Sequence, residues 1–325
     1  MKKIKWGLIG CGDISKRRVA PALRDLDNCQ LVSVNRKDYA QAEEFATEFG
    51  AQKWTREWQE MLDDENIDAV YVATPVYLHA EQTIAAARAG KHILCEKPMA
   101  MNADECTDMI EAARTNNVKL GIAYYRHFYP VIQRTKELIA KGEIGKIVMV
   151  QINASSRFDA SPGEPRHWLL VKEQSGGGPM MDFGCHRIEV FLNVVGPIEH
   201  SHSIVNNLLF QRQVEDTATA LFEFENGAHG FLSAVHSAFE PKDTLHIYGT
   251  TGTIYIDCLN TGEMRIVTEK GERIENWPPH ANLHLPLIND FARAVLDNRA
   301  PGVTGEDARA VTLVLGDIYR NASSK

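Results

Sequence analysis

The chain has 325 residues, 44% of them hydrophobic and 24% charged, a globular composition long enough for about two domains. No apolar run approaches the ~18 residues of a membrane span, so no membrane partner is expected. With 35 basic and 43 acidic residues the formal charge is -8, and no block of like charges stands out, so a nucleic-acid partner is not expected either.

Lys2, Lys3 and Lys5 precede an apolar stretch that Gly7 interrupts and Asp13 ends, too short for a secretory signal. Ile4 to Ile9 reads instead as a buried strand. From there to about Ala123 strand-like segments (Gln30 to Asn35, Ala69 to Ala73, His92 to Cys95, Val118 to Ala123) alternate with amphipathic ones (Tyr39 to Phe49, Thr55 to Leu62, His79 to Ala89, Asn102 to Asn116). That alternation predicts an α/β fold, a doubly wound parallel sheet with crossover helices. Pro21 should kink or break the first crossover, Ile14 to Leu26. After a helix at Pro130 to Lys141 the pattern turns to successive strands: Ile144 to Ser156, Ile198 to Phe210, Glu215 to Glu225, Gly230 to His236, Thr244 to Tyr248 and Thr253 to Asp257. These predict a C-terminal α+β domain on a mostly antiparallel sheet, with Asn226-Gly227 as a hairpin turn and two closing helices, Leu287 to Asn298 and Glu306 to Arg320. The expected boundary puts a dinucleotide-binding domain at 1–123 and a substrate-binding and oligomerisation domain at 124–325.

Gly10-Cys11-Gly12-Asp13-Ile14-Ser15 follows the first strand and opens a helix. Gly10 permits a tight turn, Gly12 lets backbone approach a pyrophosphate, and the helix start around Asp13 and Ile14 offers N–H groups to it. Ser15 stands where the strict dinucleotide pattern has glycine. At the end of the second strand an acid would hold a ribose 2′-hydroxyl, but the chain has Asn35-Arg36-Lys37, which suits a 2′-phosphate. NADP(H) is therefore preferred over NAD(H). A competing reading makes Arg36 and Lys37 a solvated loop, with Asp38 supplying the acid.

Ala73-Thr74-Pro75 with Leu78-His79, Cys95-Glu96-Lys97-Pro98, Gly142-Glu143-Ile144-Gly145-Lys146, and Gly176-Gly177-Gly178 leading to Asp182-Phe183-Gly184-Cys185-His186 occur in this order. The arrangement resembles the Gfo/Idh/MocA oxidoreductases. The resemblance implies a Rossmann domain followed by an α+β domain whose open sheet forms a homodimer or homotetramer. It implies that Thr74, Pro75, His79, Glu96 and Lys97 lie along the cofactor, and that Lys97, Asp182 and His186 are catalytic. The residues are consistent with this on their own chemistry. Lys97 precedes Pro98 just beyond a strand's carboxyl end, where open α/β sheets bind ligands. Asp182 and His186 are four apart, on one face if helical, after glycines that let backbone approach a ligand.

The expected reaction is hydride transfer between nicotinamide and a secondary alcohol or ketone of a sugar or polyol. His186 would be general acid/base and Lys97 would stabilise the developing alkoxide, with those two roles open to exchange, while Asp182 orients its neighbours. Tyr125 and Trp168 are candidates to line the substrate pocket. Many relatives have Trp-Arg before the glycine-rich segment, whereas this chain has His167-Trp168-Leu169 with Arg166 on the other side, so the substrate contact of the relatives' arginine is not expected here, and Arg166 is one of the residues able to line the pocket. His280 and His284 are four apart but lack further ligands nearby, so a plain helix-start loop is expected and no metal. The alternative functions are an NAD-dependent glycoside hydrolase and a dinucleotide-sensing regulator. The six scattered cysteines, without a Cys-x-x-Cys pair, read as reduced thiols of a cytoplasmic protein.

Overall fold

Ile4–Ile9 (β1) is buried at every position except Lys5, as a strand covered on both faces must be. In the computed structural model, which describes residues 2–323, it lies at the centre of a six-stranded sheet. The elements follow as α1 (Ala20–Asp25), β2 (Cys29–Asn35), α2 (Tyr39–Phe49), β3 (Lys53–Thr55), α3 (Gln59–Leu62), β4 (Ala69–Val72), α4 (His79–Arg88), β5 (His92–Cys95), α5 (Ala103–Thr115) and β6 (Leu120–Ile122). The strand order is β3-β2-β1-β4-β5-β6, and every pair is parallel. The order reverses between β1 and β4, the switch point where such sheets bind ligands.

Pro21 marks a break in the regular helix of the first crossover. The chain enters α1 through a widened π turn at Ser15–Val19, which leaves Pro21 in the first turn of α1, where its missing N–H costs little. The expected helix from Thr55 is corrected: Thr55 ends the edge strand β3, and only Gln59–Leu62 is helical.

The second unit continues with α6 (Pro130–Ala140), β7 (Ile147–Ser155), α7 (Lys172–Ser175), α8 (Cys185–Val194), β8 (Ile198–Asn206), β9 (Thr217–Phe224), β10 (His229–Val235), β11 (Lys242–Asp243), β12 (Leu245–Gly249), β13 (Gly252–Ile256), β14 (Glu263–Thr268) and β15 (Gly271–Asn276). After α9 (Leu285–Leu296) and α10 (Gly305–Arg320), a short β16 (Ala322–Ser323) completes the order β15-β14-β13-β12-β7-β10-β9-β8-β16, with β11 beside β7. All pairs are antiparallel except β7 with β10 and β8 with β16. Gly227 takes a left-handed φ of 80° in the β9–β10 turn, as an Asn-Gly hairpin requires.

The units are not consecutive in the chain. One runs to Tyr125 and resumes over His280–Arg309; the other takes Arg126–Pro279 and the chain from Ala310 onward. The return has a packing cause: Phe291 of α9 is buried with its ring 5.7 Å from that of Trp6 in β1, and a Cβ on Gly121 would come within 2.7 Å of Phe291. Among the described residues no helix is long and apolar enough to cross a membrane. No disulfide joins the six cysteines.

Candidate active site

In the first unit the turn after β1 is drawn against the end of β4. Gly10 has φ 95°, and a Cβ there would lie 2.8 Å from the carbonyl oxygen of Ala73, so no other residue fits. Ser15 donates from Oγ to the Gly10 carbonyl at 2.6 Å, which explains a serine in the place of the third glycine. Gly12 faces open space, with nothing within 4 Å of where a Cβ would be. Asp13 is exposed and pairs with Arg17 at 3.1 Å; Ile14 is half-buried. The Arg36 guanidinium reaches back from the end of β2 and donates to the Cys11 carbonyl, so a cation sits over this turn. Asn35 is buried and spends its amide N–H groups on the Thr55 and Arg56 carbonyls, at 3.2 and 2.8 Å. Lys37 is exposed. Asp38 is the N-cap of α2, accepting from the Gln41 backbone N–H at 3.1 Å, so it is committed to the helix. An open glycine turn at the switch point, with a cation and no uncommitted acid beside it, fits a dinucleotide phosphate.

The turns after β4 and β5 are joined by His79, which is buried and has one ring nitrogen 2.8 Å from the Thr74 carbonyl and the other 2.9 Å from that of Pro98. Each nitrogen faces a backbone carbonyl, so His79 bridges these two turns. Thr74 and Pro75 are half-buried, and the Thr74 hydroxyl donates to Gln82 at 2.7 Å.

Glu96 is buried and fully engaged. One carboxylate oxygen accepts from the Tyr71 hydroxyl at 2.8 Å and lies 3.1 Å from His284 Nε2; the other accepts the Lys97 backbone N–H at 3.2 Å. Burial alone would raise its pKa, but the His284 imidazole, the Lys97 charge and the Tyr71 hydroxyl bring it down to about 2. A fixed negative charge therefore stands beside Lys97, whose following bond to Pro98 is cis. His284 stacks at 5.0 Å on Tyr125, whose ring also carries the Arg18 guanidinium at 5.3 Å. The plain loop expected at His280 to His284 thus holds a buried partner of the Glu-Lys-Pro turn.

In the second unit, Asp182 lies in a π turn (Met180–Gly184) that runs directly into α8, whose first turn carries His186. His186 is buried and Asp182 half-buried. The glycine run ahead of them serves packing. A Cβ on Gly177 would meet the Tyr319 hydroxyl at 2.1 Å, and one on Gly178 the Glu215 carbonyl at 2.0 Å. The buried Glu215 carboxylate accepts the backbone N–H groups of Gly178 and Met180 at 2.7 and 3.2 Å, and the Tyr319 hydroxyl at 2.8 Å. The glycines therefore let backbone approach protein rather than ligand, and Glu215 anchors the segment that carries Asp182.

Arg166 Nη2 lies 3.5 Å and His236 Nε2 3.9 Å from the same Asp182 oxygen. The Arg166 guanidinium rests on the Phe158 ring at 4.4 Å, and Trp168 follows two residues on in the turn His167–Leu170. Arg166 thus lies beside the expected catalytic carboxylate. His236, Arg212, Glu215 and Tyr71 carried no local sequence signal, and the spacing of His284 from His280 did not point to its bond with Glu96.

Over residues 4–124 the chain matches the oxidoreductase family with an NAD-binding Rossmann fold, and over residues 132–255 the GFO/IDH/MocA C-terminal domain. It is 30% identical to a 1,5-anhydro-D-fructose reductase of Ensifer adhaerens, across 93% of this chain and 91% of that one. The chain belongs to the Gfo/Idh/MocA family of oxidoreductases. Within that family it is also 26% identical to an NADP(+) D-xylose 1-dehydrogenase of Haloferax volcanii, across 98% and 97% of the two chains. Its fold superposes with a TM-score of 0.90, at 26% identity, on a levoglucosan dehydrogenase in complex with NADH and levoglucosan, covering 99% of this chain and 97% of that one. The family's NAD(P)-dependent sugar and polyol dehydrogenases thus match essentially full length, and they include users of either cofactor.

His236 gives the second unit a pH signature. Burial, opposed by Asp182 and aided by Arg212 and Arg166, pushes its pKa from 6.5 to about 4, with Asp216 a further opposing charge. A histidine with a folded pKa below its unfolded one contributes stability that is complete above about pH 6.5 and is lost as pH falls toward 4. The loss is on the order of 3 kcal/mol. Denaturant melts from pH 7 to 4 should show it in the wild type, and His236→Phe should flatten it.

Proposed function

We propose that the protein is an NADP(H)-dependent oxidoreductase that interconverts a secondary alcohol and a ketone on a sugar or polyol. The observation that supports it most is the Glu96-Lys97 turn: a buried carboxylate with a pKa of about 2 accepts the Lys97 N–H at the carboxyl end of β5. When bound, the nicotinamide supplies or accepts the hydride. Gly10, Gly12, Asp13 and Ile14 form the phosphate turn, and the turns at Thr74-Pro75 and Glu96-Lys97, tied by His79, border the cofactor. Lys97 is the cation that stabilises charge on the reacting oxygen. His186 gives or takes that oxygen's proton, and Asp182 orients the imidazole. Tyr125 and Trp168 contribute the apolar lining that a sugar ring needs. A screen of sugars, inositols and ketosugars with each cofactor, read at the nicotinamide absorbance band, tests this reading. Turnover of at least one with NADP(H) is expected, and silence across the panel contradicts it.

The preference for NADP(H) rests on Arg36, because Asp38 is committed to capping α2. Arg36→Ala should weaken NADPH by about 1.5–3 kcal/mol, the worth of a hydrogen bond to a charged group. NADH should change only by what the loosened Cys11 carbonyl contributes. Calorimetric titration of both cofactors decides it, and equal losses would assign the enzyme to NAD(H). Met149, Ile204 and Leu221 are exposed on one face of the C-terminal sheet, which supports assembly into a homodimer or homotetramer through that face. A monomer in sedimentation would contradict it.

A further inference from the structure

We propose that His236 and Asp182 form a subsite that reads one non-reacting hydroxyl of the substrate. The inference rests on the sugar or polyol reading above and specifies how such a substrate is told from its deoxy analogues. Arg212 Nη2 lies 2.9 Å from His236 Nδ1. A guanidinium only donates, so Nδ1 must be the lone-pair nitrogen and Nε2 must carry the hydrogen. Arg212 has no freedom to let go: it also donates to the Phe158 and Glu215 carbonyls at 3.0 and 2.8 Å, and its side chain is 5% exposed. The ring is gripped edge-on by Phe158 and Phe183, each 5.2 Å away.

The locked Nε2–H faces Asp182 Oδ2 at 3.9 Å, too long for a direct hydrogen bond, and makes none to any other described residue. An oxygen about 2.9 Å from each would accept from Nε2–H and donate to the carboxylate. Only a group that is both donor and acceptor satisfies this pair. A hydroxyl does, whereas a ketone oxygen cannot donate and an ammonium cannot accept. Arg166 Nη2, 3.5 Å from the same carboxylate oxygen, is a second donor at the rim. His236 is no base for the reacting oxygen, because its only uncommitted nitrogen already carries a proton.

The test uses the full chain with D-xylose, levoglucosan, myo-inositol and 1,5-anhydro-D-fructose, and with the monodeoxy derivatives of whichever is turned over. His236→Phe should raise KM about tenfold for the parent compound, with kcat and cofactor affinity little changed. The rise should disappear for the one deoxy derivative lacking the hydroxyl that is read. His236→Gln, which returns a donor near the Nε2 position, should recover part of the loss. Nitrogen-15 histidine spectra of the wild type should show a protonated Nε2 and a bare Nδ1. An unchanged KM in folded His236→Phe, a rise equal across all deoxy derivatives, or a protonated Nδ1 would overturn the subsite alone. Wild-type turnover of none of the four would instead overturn the substrate class, and the subsite with it.

Discussion

Lys97→Ala is expected to lower kcat by about a hundredfold or more while cofactor affinity and melting temperature stay close to the wild type. The side chain is half-buried, so truncating it opens no core cavity. Glu96 keeps the Tyr71 hydroxyl, His284 and the backbone N–H of residue 97, so the turn persists without its charge. In the proposed reaction, what disappears is the cation that meets developing negative charge, a contribution realised in the transition state rather than in binding. Steady-state kinetics beside a calorimetric cofactor titration separate the two. Near-normal turnover would remove Lys97 from the chemistry.

Asp243→Ala is expected to cost about 3–5 kcal/mol of stability, the penalty for leaving buried charge without its partner. Asp243 forms an ion pair with Arg126 at 2.7 Å and accepts from Arg187 at 2.6 Å, and both guanidiniums are buried. Burial would raise the Asp243 pKa, but the two arginines hold it below the usual carboxylate range, so it is charged where they meet. Without it the two cations face each other in the second unit, and one of them, Arg187, directly follows His186. Denaturant unfolding measures the loss, and a value under about 1 kcal/mol would show that the arginines find other partners.

The parallel sheet was legible because each of its central strands is short, apolar and closed by glycine, proline or a capping residue. Tyr39–Phe49 was read to the residue, since Asp38 and Gly50 mark its two ends. α8 escaped the periodicity argument because it is buried on all sides: His186, Arg187 and Glu189 are as buried as Ile188 and Phe191, so no polar face appears. The β14–β15 hairpin was missed for the opposite reason. Its outer strand, Gly-Glu-Arg-Ile-Glu-Asn, is an exposed edge with ion pairs such as Arg265 to Glu272 at 3.3 Å, and such a strand has no apolar alternation.

The candidate site was legible where it is local and hidden where it is not. Lys97, Asp182 and His186 belong to short motifs. Their supports come from far along the chain: His284 reaches Glu96 across 188 residues, and Tyr319 reaches Glu215 across 104. Nothing in the spacing of His280 and His284 separates a loop from a buried hydrogen bond. Asp38 shows the converse, because an acid placed near a ribose by sequence is spent on a helix cap in the fold.

In the proposed reaction a hydride passes between nicotinamide and a carbinol carbon. The most direct measurement supplies NADPH deuterated at C4, in each stereochemistry, with a ketosugar substrate, and locates the label by mass spectrometry and NMR. One deuterium is expected on the new carbinol carbon, from one face of the nicotinamide only, and accumulating about a hundredfold or more slowly in Lys97→Ala. Product without carbon-bound deuterium, or a glycosidic bond cleaved with the nicotinamide's oxidation state unchanged, would contradict it.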